Sequence, residues 1–245
     1  MNDSVLITGG TKGIGYAAAK ALATSPNVES LFLTFHSDEE GAENAISELS
    51  KSYPEKKIYK LRLDVSSTSA PDLLLKGMQE VEFIPSMVCF NANLTDRSPL
   101  EEISPENWLR LFQANIHFPV QTIQLLLQYM GRNGLFVFTG SMMAIEPHSV
   151  SLGYGVTKSA IHGMVKNLVK HLEPYQHRVV GIAPGFVDTE WQKTKPEAIR
   201  KSIESKVALH RFSTPEEVGV LFLNVLENKY FNGDILTISG GYSYR

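Results

Sequence analysis

The chain has 245 residues, 43% hydrophobic and 20% charged, which are the proportions of an ordinary globular protein. Its net charge of −3 gives no basic excess for nucleic acid, and its single cysteine, Cys89, allows neither an internal disulfide nor a Cys-x-x-Cys metal site. No apolar run nears the roughly 18 residues of a membrane span, and no His, Asp or Glu set has metal-ligand spacing. We therefore expect a soluble, cytoplasmic protein with no bound metal.

The first apolar run, Val5–Thr8, reads as a strand, and Gly9-Gly10-Thr11-Lys12-Gly13-Ile14-Gly15 follows it at once. An Ala-rich helix, Gly13–Ala23, comes next. Glycines in that context let the backbone turn tightly and approach a pyrophosphate, while the N–H groups that open the helix face the anion. The same glycines would also serve an ordinary strand-to-helix turn, so the rest of the chain has to decide.

Further strands are predicted at Ser30–Phe35, Lys57–Leu63, Ser86–Asn91, Gly134–Gly140, Arg178–Ala183 and Asp234–Ile238. Between them lie predicted helices Glu39–Ser52, Ala70–Glu80, Pro105–Met130, Tyr154–Leu172, Pro196–Ser205 and Pro215–Leu226. Ser104-Pro105-Glu106 and Thr214-Pro215-Glu216 mark two starts: a capping hydroxyl, a proline at the first helical position and an acid in the first turn. Continuous Val/Leu/Ile/Phe strands alternating with helices predict an α/β fold. The expected form is a Rossmann-type, doubly wound parallel sheet of about seven strands, covered by helices on both faces. No linker divides the chain. Residues 1–245 are read as one domain, with a dinucleotide-binding half to about 135 and a catalytic and substrate-binding half from about 136.

In such a sheet, ligands lie beyond the carboxyl ends of the strands. The second strand ends in Thr34-Phe35-His36-Ser37, with no carboxylate before Asp38 to hold the ribose hydroxyls that NAD presents. Lys12 lies in the glycine loop. A cation near the ribose with no carboxylate at the strand end favours a 2′-phosphate, so NADP (as NADPH) is expected over NAD, with His36 and Ser37 beside it.

Tyr154 and Lys158 are four residues apart on a predicted helix and share one face. An ammonium beside a phenol, whose ordinary pKa is about 10, favours the phenolate and draws that pKa towards neutrality. The spacing also occurs at Tyr16/Lys20 and Tyr53/Lys57. Tyr154 alone has a hydroxyl residue, Ser141, at the end of an apolar strand shortly before it, where it can bond a carbonyl oxygen and steady a developing alkoxide.

Together these residues resemble the short-chain dehydrogenase/reductase family, from Val5 to Tyr242. The resemblance covers Thr8-Gly9-x-x-x-Gly13-x-Gly15, Asp64-Val65, Asn91-Ala92, Asn115, Ser141, Tyr154-x-x-x-Lys158 and Pro184-Gly185. It implies that Tyr154 is the general acid in reduction and that Lys158 lowers its pKa and binds the nicotinamide ribose. Ser141 would orient the carbonyl and Asn115 would hold a water of the proton relay. Cofactor contacts are implied for Gly9, Thr11, Lys12, Gly13, Ile14 and Gly15, for Asp64, Val65, Asn91 and Ala92, and for Pro184, Gly185, Val187 and Thr189.

Within the family the chain looks most like 3-oxoacyl-acyl-carrier-protein reductase, on its length, on Lys12 and on the ending Asn232 to Gly241. That likeness implies reduction of a 3-oxoacyl thioester in fatty acid biosynthesis, with acyl carrier protein as a partner and Arg132 and Lys170 as its contacts. The family resemblance implies a homotetramer, or a dimer, built on the Pro105–Met130 and Tyr154–Leu172 helices, and His162, one turn beyond Lys158, is read as packing at a subunit contact. Met142–Leu152 and Phe186–Lys206 would line the substrate pocket, with Trp191–Lys206 as a mobile lid. The alternatives are a reductase or dehydrogenase of another ketone or secondary alcohol, and a silent dinucleotide-binding regulator. Two positions depart from the family pattern. Asn93 stands where Asn-Asn-Ala-Gly has glycine, and is expected to tolerate a left-handed backbone. Val180 stands where an Asn is common.

Overall fold

The computed structural model describes residues 3–146 and 151–242. Its strands are β1 (Asp3–Ile7), β2 (Val28–Phe35), β3 (Lys57–Arg62), β4 (Met87–Phe90), β5 (Leu135–Thr139), β6 (Arg178–Pro184) and β7 (Ile235–Ile238). All pair in parallel, in the order β3-β2-β1-β4-β5-β6-β7. This is the expected doubly wound sheet. Its chain order reverses between β1 and β4, so a crevice opens beyond their carboxyl ends.

Side-chain alternation along the strands divides the interior in two. Val5, Ile7, Leu33, Cys89, Val137 and Ile182 point to one face, against Leu22 of α1 (Gly13–Ala23) and Phe222 and Val225 of α9 (Pro215–Glu227). Leu6, Phe32, Val88, Phe136 and Phe138 point to the other. They meet Leu74 of α3 (Ala70–Glu80), Ile123 of α5 (Phe118–Leu126) and Ile161 and Val165 of α6 (Leu152–Leu172). Full burial of each such side chain stabilises the fold by about 1.5–3 kcal/mol. Val180 belongs to the first cluster, completely buried beside Val137, so at this position the chain has core packing instead of a polar group.

Three elements differ from the expectation. The helix predicted over Pro105–Met130 is α4 (Pro105–Phe112), a π turn (Gln113–His117) and α5, with turns from Leu127 onward. Pro119 has no N–H to return to the Asn115 carbonyl four residues earlier, and the chain widens there, Phe118 N–H bonding Gln113 O. Helix α6 begins two residues early because Ser151 caps it. The predicted helix Pro196–Ser205 is present as α8 (Glu197–Glu204), but a short helix that was not predicted, α7 (Glu190–Lys193), precedes it, the two separated where Lys195 precedes Pro196. The remaining helix, α2 (Glu39–Ser52), lies where predicted. Among the described residues, no helix is long and apolar enough to cross a membrane.

Candidate active site

The glycine loop is tied to three strands. Thr8 Oγ1 accepts from the N–H groups of Asn91 (3.0 Å) and Ala92 (3.1 Å). Gly9 N–H donates to Thr34 Oγ1 (3.2 Å), and Gly10 N–H to Thr34 O (3.0 Å). Asn91 Nδ2 donates to Gly9 O (3.1 Å), while its Oδ1 accepts from Thr139 Oγ1 (3.2 Å). Two glycines are needed for different reasons. Gly9 has φ of 63°, a region costly for other residues. A Cβ on Gly15 would stand 2.1 Å from Gly9 O and 2.6 Å from Asn91 Nδ2. Helix α1 then opens at Lys12 with no side-chain cap and no acid in its first turn. Its N–H groups are therefore available to an anion.

Beside β2, the Lys12 ammonium lies 4.0 Å from the Asp38 carboxylate, which also caps α2 by accepting from Gly41 N–H (3.0 Å). A carboxylate thus does stand at this rim, although the strand end itself has none. His36 Nε2 is 3.7 Å from Asp64 Oδ2. Burial pushes the Asp64 carboxyl up, but two hydrogen bonds from Ser66, with His36 and Arg110 nearby, outweigh it and hold the pKa below the ordinary value.

Tyr154 sits in the first turn of α6. The Ser151 hydroxyl accepts from Tyr154 N–H (3.4 Å) and donates to the Asp96 carbonyl, fixing where the helix begins. The Tyr154 phenol bonds the Ser141 side chain; burial pushes its pKa up to about 12, and the Ser141 bond pulls the other way. Lys158 is 1% exposed. Its Nζ donates to Thr139 O (2.6 Å) and Asn93 Oδ1 (2.7 Å), and lies 5.3 Å from the Tyr154 ring centroid. Burial lowers it to about 7. The expected drop in the Tyr154 pKa is therefore reversed in the protein alone. Desolvation dominates the phenol, and two ammonium protons point at Asn93 and Thr139.

Ser141 follows β5 and opens a 3₁₀ turn (Met142–Ala144), accepting from Met143 N–H (3.2 Å). Its own N–H donates to His162 Nε2 (3.3 Å). His162, expected at a subunit contact, is 9% exposed and turned inward beneath Gly140 and Ser141. Burial, then Lys158 and Lys166, lower its pKa to about 4. Asn115 is buried in the π turn. Its side chain accepts from Leu94 N–H (2.8 Å) and donates to Leu94 O (3.0 Å) and Thr157 Oγ1 (3.1 Å), joining the loop after β4 to α6.

One cleft of about 790 Å³ runs from the glycine loop to Tyr242. Every residue expected to touch cofactor lines it except Gly13 and Gly15, which shape the loop from behind. Val187 pairs with Ser213, and Thr189 approaches to 3.4 Å from where a Cβ on Gly13 would stand, so the segment after β6 closes on the glycine loop. At the far end stand Met142, Met143, Phe186, Ile199, Ile203 and Tyr242, with Arg97, Lys195 and Lys206 among them. Positions 147–150 of the expected lining lie outside the described residues.

Arg132 and Lys170 are far from this opening. Arg132 precedes β5, bonding Gln176 Oε1 (3.0 Å), at the amino end of the strand, opposite the cleft. Lys170 is 16 residues along α6 from Tyr154, about 24 Å at 1.5 Å per residue. Asn93, against expectation, is not among the residues of positive φ; its contribution is its side-chain amide. Sequence reasoning placed Ser151 and Lys195 within the expected pocket lining without giving them a role, and it missed Arg97 and the bond from Lys158 to Asn93, which join separate loops without a local signal. Among the described residues, no group of three or more His, Cys, Asp or Glu is placed to hold a metal.

Residues 3–200 match the family described as short chain dehydrogenase. The chain is 26% identical over 243 residues to a 3alpha-hydroxysteroid dehydrogenase of Mediterraneibacter gnavus, covering 98% of this chain and 96% of that protein. It is 28% identical over 246 aligned positions to a 3-oxoacyl-acyl-carrier-protein reductase of Chlamydia muridarum, covering 98% and 97%. Among solved structures, a short-chain dehydrogenase/reductase from Serratia marcescens superposes with a TM-score of 0.89 at 22% identity, covering 98% of each chain. A short chain dehydrogenase from Burkholderia cenocepacia in complex with NADP gives the same TM-score and identity, covering 99% and 98%.

Proposed function

The chain belongs to the short-chain dehydrogenase/reductase family and is an oxidoreductase, and from that premise we propose that it reduces the carbonyl of a 3-oxoacyl thioester with NADPH. The observation that carries the reading is the joining of two features in one cleft: an uncapped helix N-terminus behind a glycine loop, and Tyr154 bonded to Ser141 above the ammonium of Lys158. The first fits a dinucleotide pyrophosphate, since Gly15 leaves no room for a side chain between loop and helix and α1 presents unpaired N–H groups.

When bound, the nicotinamide supplies a hydride to the carbonyl carbon. Ser141 donates a hydrogen bond to the carbonyl oxygen and orients it, and Tyr154 Oη delivers the proton that this oxygen takes up. A phenol pushed up by burial is protonated at neutral pH, as an acid must be. Lys158 holds the nicotinamide ribose and, as an ammonium, steadies the phenolate left after transfer. Asn115 fixes the π turn from which a water returns a proton to this pair. Lys12, His36 and Ser37 take the 2′-phosphate, and Asp64 and Val65 flank the adenine.

Two groups of residues bear on the substrate. Arg97, Lys195 and Lys206 at the mouth favour a substrate carrying an anionic handle, as acyl carriers do. The lining of Met142, Phe186, Ile199 and Ile203 equally suits another apolar ketone or secondary alcohol, and one relative is named for a hydroxysteroid. Exposed Leu109 on α4, and Leu152 and Val156 on α6, support self-association through these helices. Retention of both Tyr154 and Lys158 argues against a silent regulator.

The test is oxidation of NADPH and NADH by purified protein, with acetoacetyl thioester and with a panel of free ketones. Fast loss of NADPH with the thioester and slow loss of NADH is expected. Turnover of free ketones alone would move the substrate to the second class. Lys12→Glu should lower the NADPH/NADH preference by more than about tenfold, since one attractive charge is lost and a repulsive one replaces it; an unchanged ratio would remove Lys12 from the phosphate site.

A further inference from the structure

The ammonium of Lys158 is held by two acceptors of different kinds. Thr139 O belongs to the backbone of β5 and is fixed by the sheet. Asn93 Oδ1 belongs to a side chain in the loop after β4. The orientation of that amide is set, because its Nδ2 donates to Asn91 O at 2.5 Å and the oxygen must then face Lys158. Asn91 is tied in turn to Gly9 and Thr139, so Asn93 is braced by the same bonds that hold the glycine loop.

An ammonium has three N–H donors. Two are directed at Thr139 O and Asn93 Oδ1, leaving one for anything that enters the cleft. Among the described residues no carboxylate acts on Lys158, and burial lowers its pKa. Among the described residues, the titratable groups that face it are Tyr154 and His162, both on its own helix, and neither carries a negative charge at neutral pH. The neighbours at the ends of β4 and β5, Asn91, Asn93, Thr139 and Ser141, are all neutral. A buried cation in such surroundings depends on the dipoles of its hydrogen-bond acceptors to stay charged.

We propose that Asn93 is a positioning residue for Lys158, its amide oxygen keeping the buried ammonium charged and directing its one remaining N–H into the cleft. The kinetic consequence rests on the role given to Lys158 under the proposed function; the electrostatic consequence does not. Asn93→Ala removes the acceptor, and Asn93→Asp replaces it with a carboxylate at the same position. The two variants must therefore act in opposite directions, which a merely structural role would not produce.

The measurement is made first on the protein without cofactor. The lysine Cε resonance of Lys158, assigned by its absence from Lys158→Met protein, is followed against pH in protein with 13C-labelled lysine. Relative to the unsubstituted protein, the midpoint should fall by about one pH unit in Asn93→Ala and rise by at least that much in Asn93→Asp. The alkaline limb of kcat/KM for NADPH, which reports the free enzyme, should move in the same order. Coincident midpoints, or two shifts of the same sign, overturn the proposal whatever the activities are. Midpoints in the expected order with an unmoved alkaline limb uphold it, and place the failure in the catalytic role of Lys158.

Discussion

At the glycine-loop end of the cleft the backbone does the holding. Gly9, Thr8, Asn91 and Thr34 are linked by hydrogen bonds of 3.0–3.2 Å across three strands, and the helix that follows opens on N–H groups with no side-chain cap. At the other end, side chains of the short helices α7 and α8 and of the 3₁₀ turn after Ser141 form the walls, and several are exposed. Backbone sites recognise what every dinucleotide shares, whereas side-chain walls can be exchanged without disturbing the sheet. Tyr154, Ser141 and Lys158 lie at the border, anchored on the rigid side and facing the variable one.

The largest test of that border is Tyr154→Phe. It should lower kcat by about 10³-fold, within the range for a lost general acid, and leave the Kd for NADPH almost unchanged. Retained turnover would show that the proton comes from elsewhere.

Gly15→Ala acts at the rigid end. Its methyl group meets Gly9 O, so it should cost about 1–3 kcal/mol of stability and weaken NADPH binding more than tenfold. Full affinity measured by titration calorimetry would mean that the loop is softer than its bonds suggest.

His162 tests the support under Ser141. Its pKa in the folded protein, about 4, lies below the ordinary value of 6.5. The neutral form is the native one, and the stability it contributes is complete above pH 6.5 and lost as pH falls towards 4. The loss should be on the order of 2 kcal/mol, read as a falling urea midpoint. His162→Gln should flatten that slope; an equal slope would assign it to another group.

The smallest effect is expected at the variable end. Lys195→Ala should raise KM a few-fold for a coenzyme A thioester and leave KM for a small neutral ketone unchanged. Equal changes for both substrates would remove the anionic handle.

Most of the sheet and of the cofactor end was legible in the sequence because both are local. A strand, a glycine loop and a helix are contiguous, and Tyr154 and Lys158 are one turn apart. The break at Gln113–His117 was legible too, since Phe118-Pro119 stands inside the predicted helix, but apolar spacing on both sides masked it. The reversed Tyr154 pKa was not legible, because it depends on burial beneath segments distant in sequence. Nor was the bond between Asn93 and Lys158, which joins residues 65 apart. The distance of Arg132 and Lys170 from the cleft was hidden for a related reason: residue type names a charge, but only topology says at which end of the strands it emerges.

The π turn at Gln113–His117 also sets phase. One residue of an α-helix is about 100° of rotation, so the widened turn re-indexes everything that follows it. Phe118, Thr122, Ile123 and Leu126 of α5 are buried in the present register, while Asn115 reaches Leu94 from within the turn. Winding this turn into a regular α-helix with every residue kept would rotate that buried stripe by about 100°, away from the sheet. The turn works as a gear tooth, and its length is as much a part of the sequence's meaning as the identity of any residue in it.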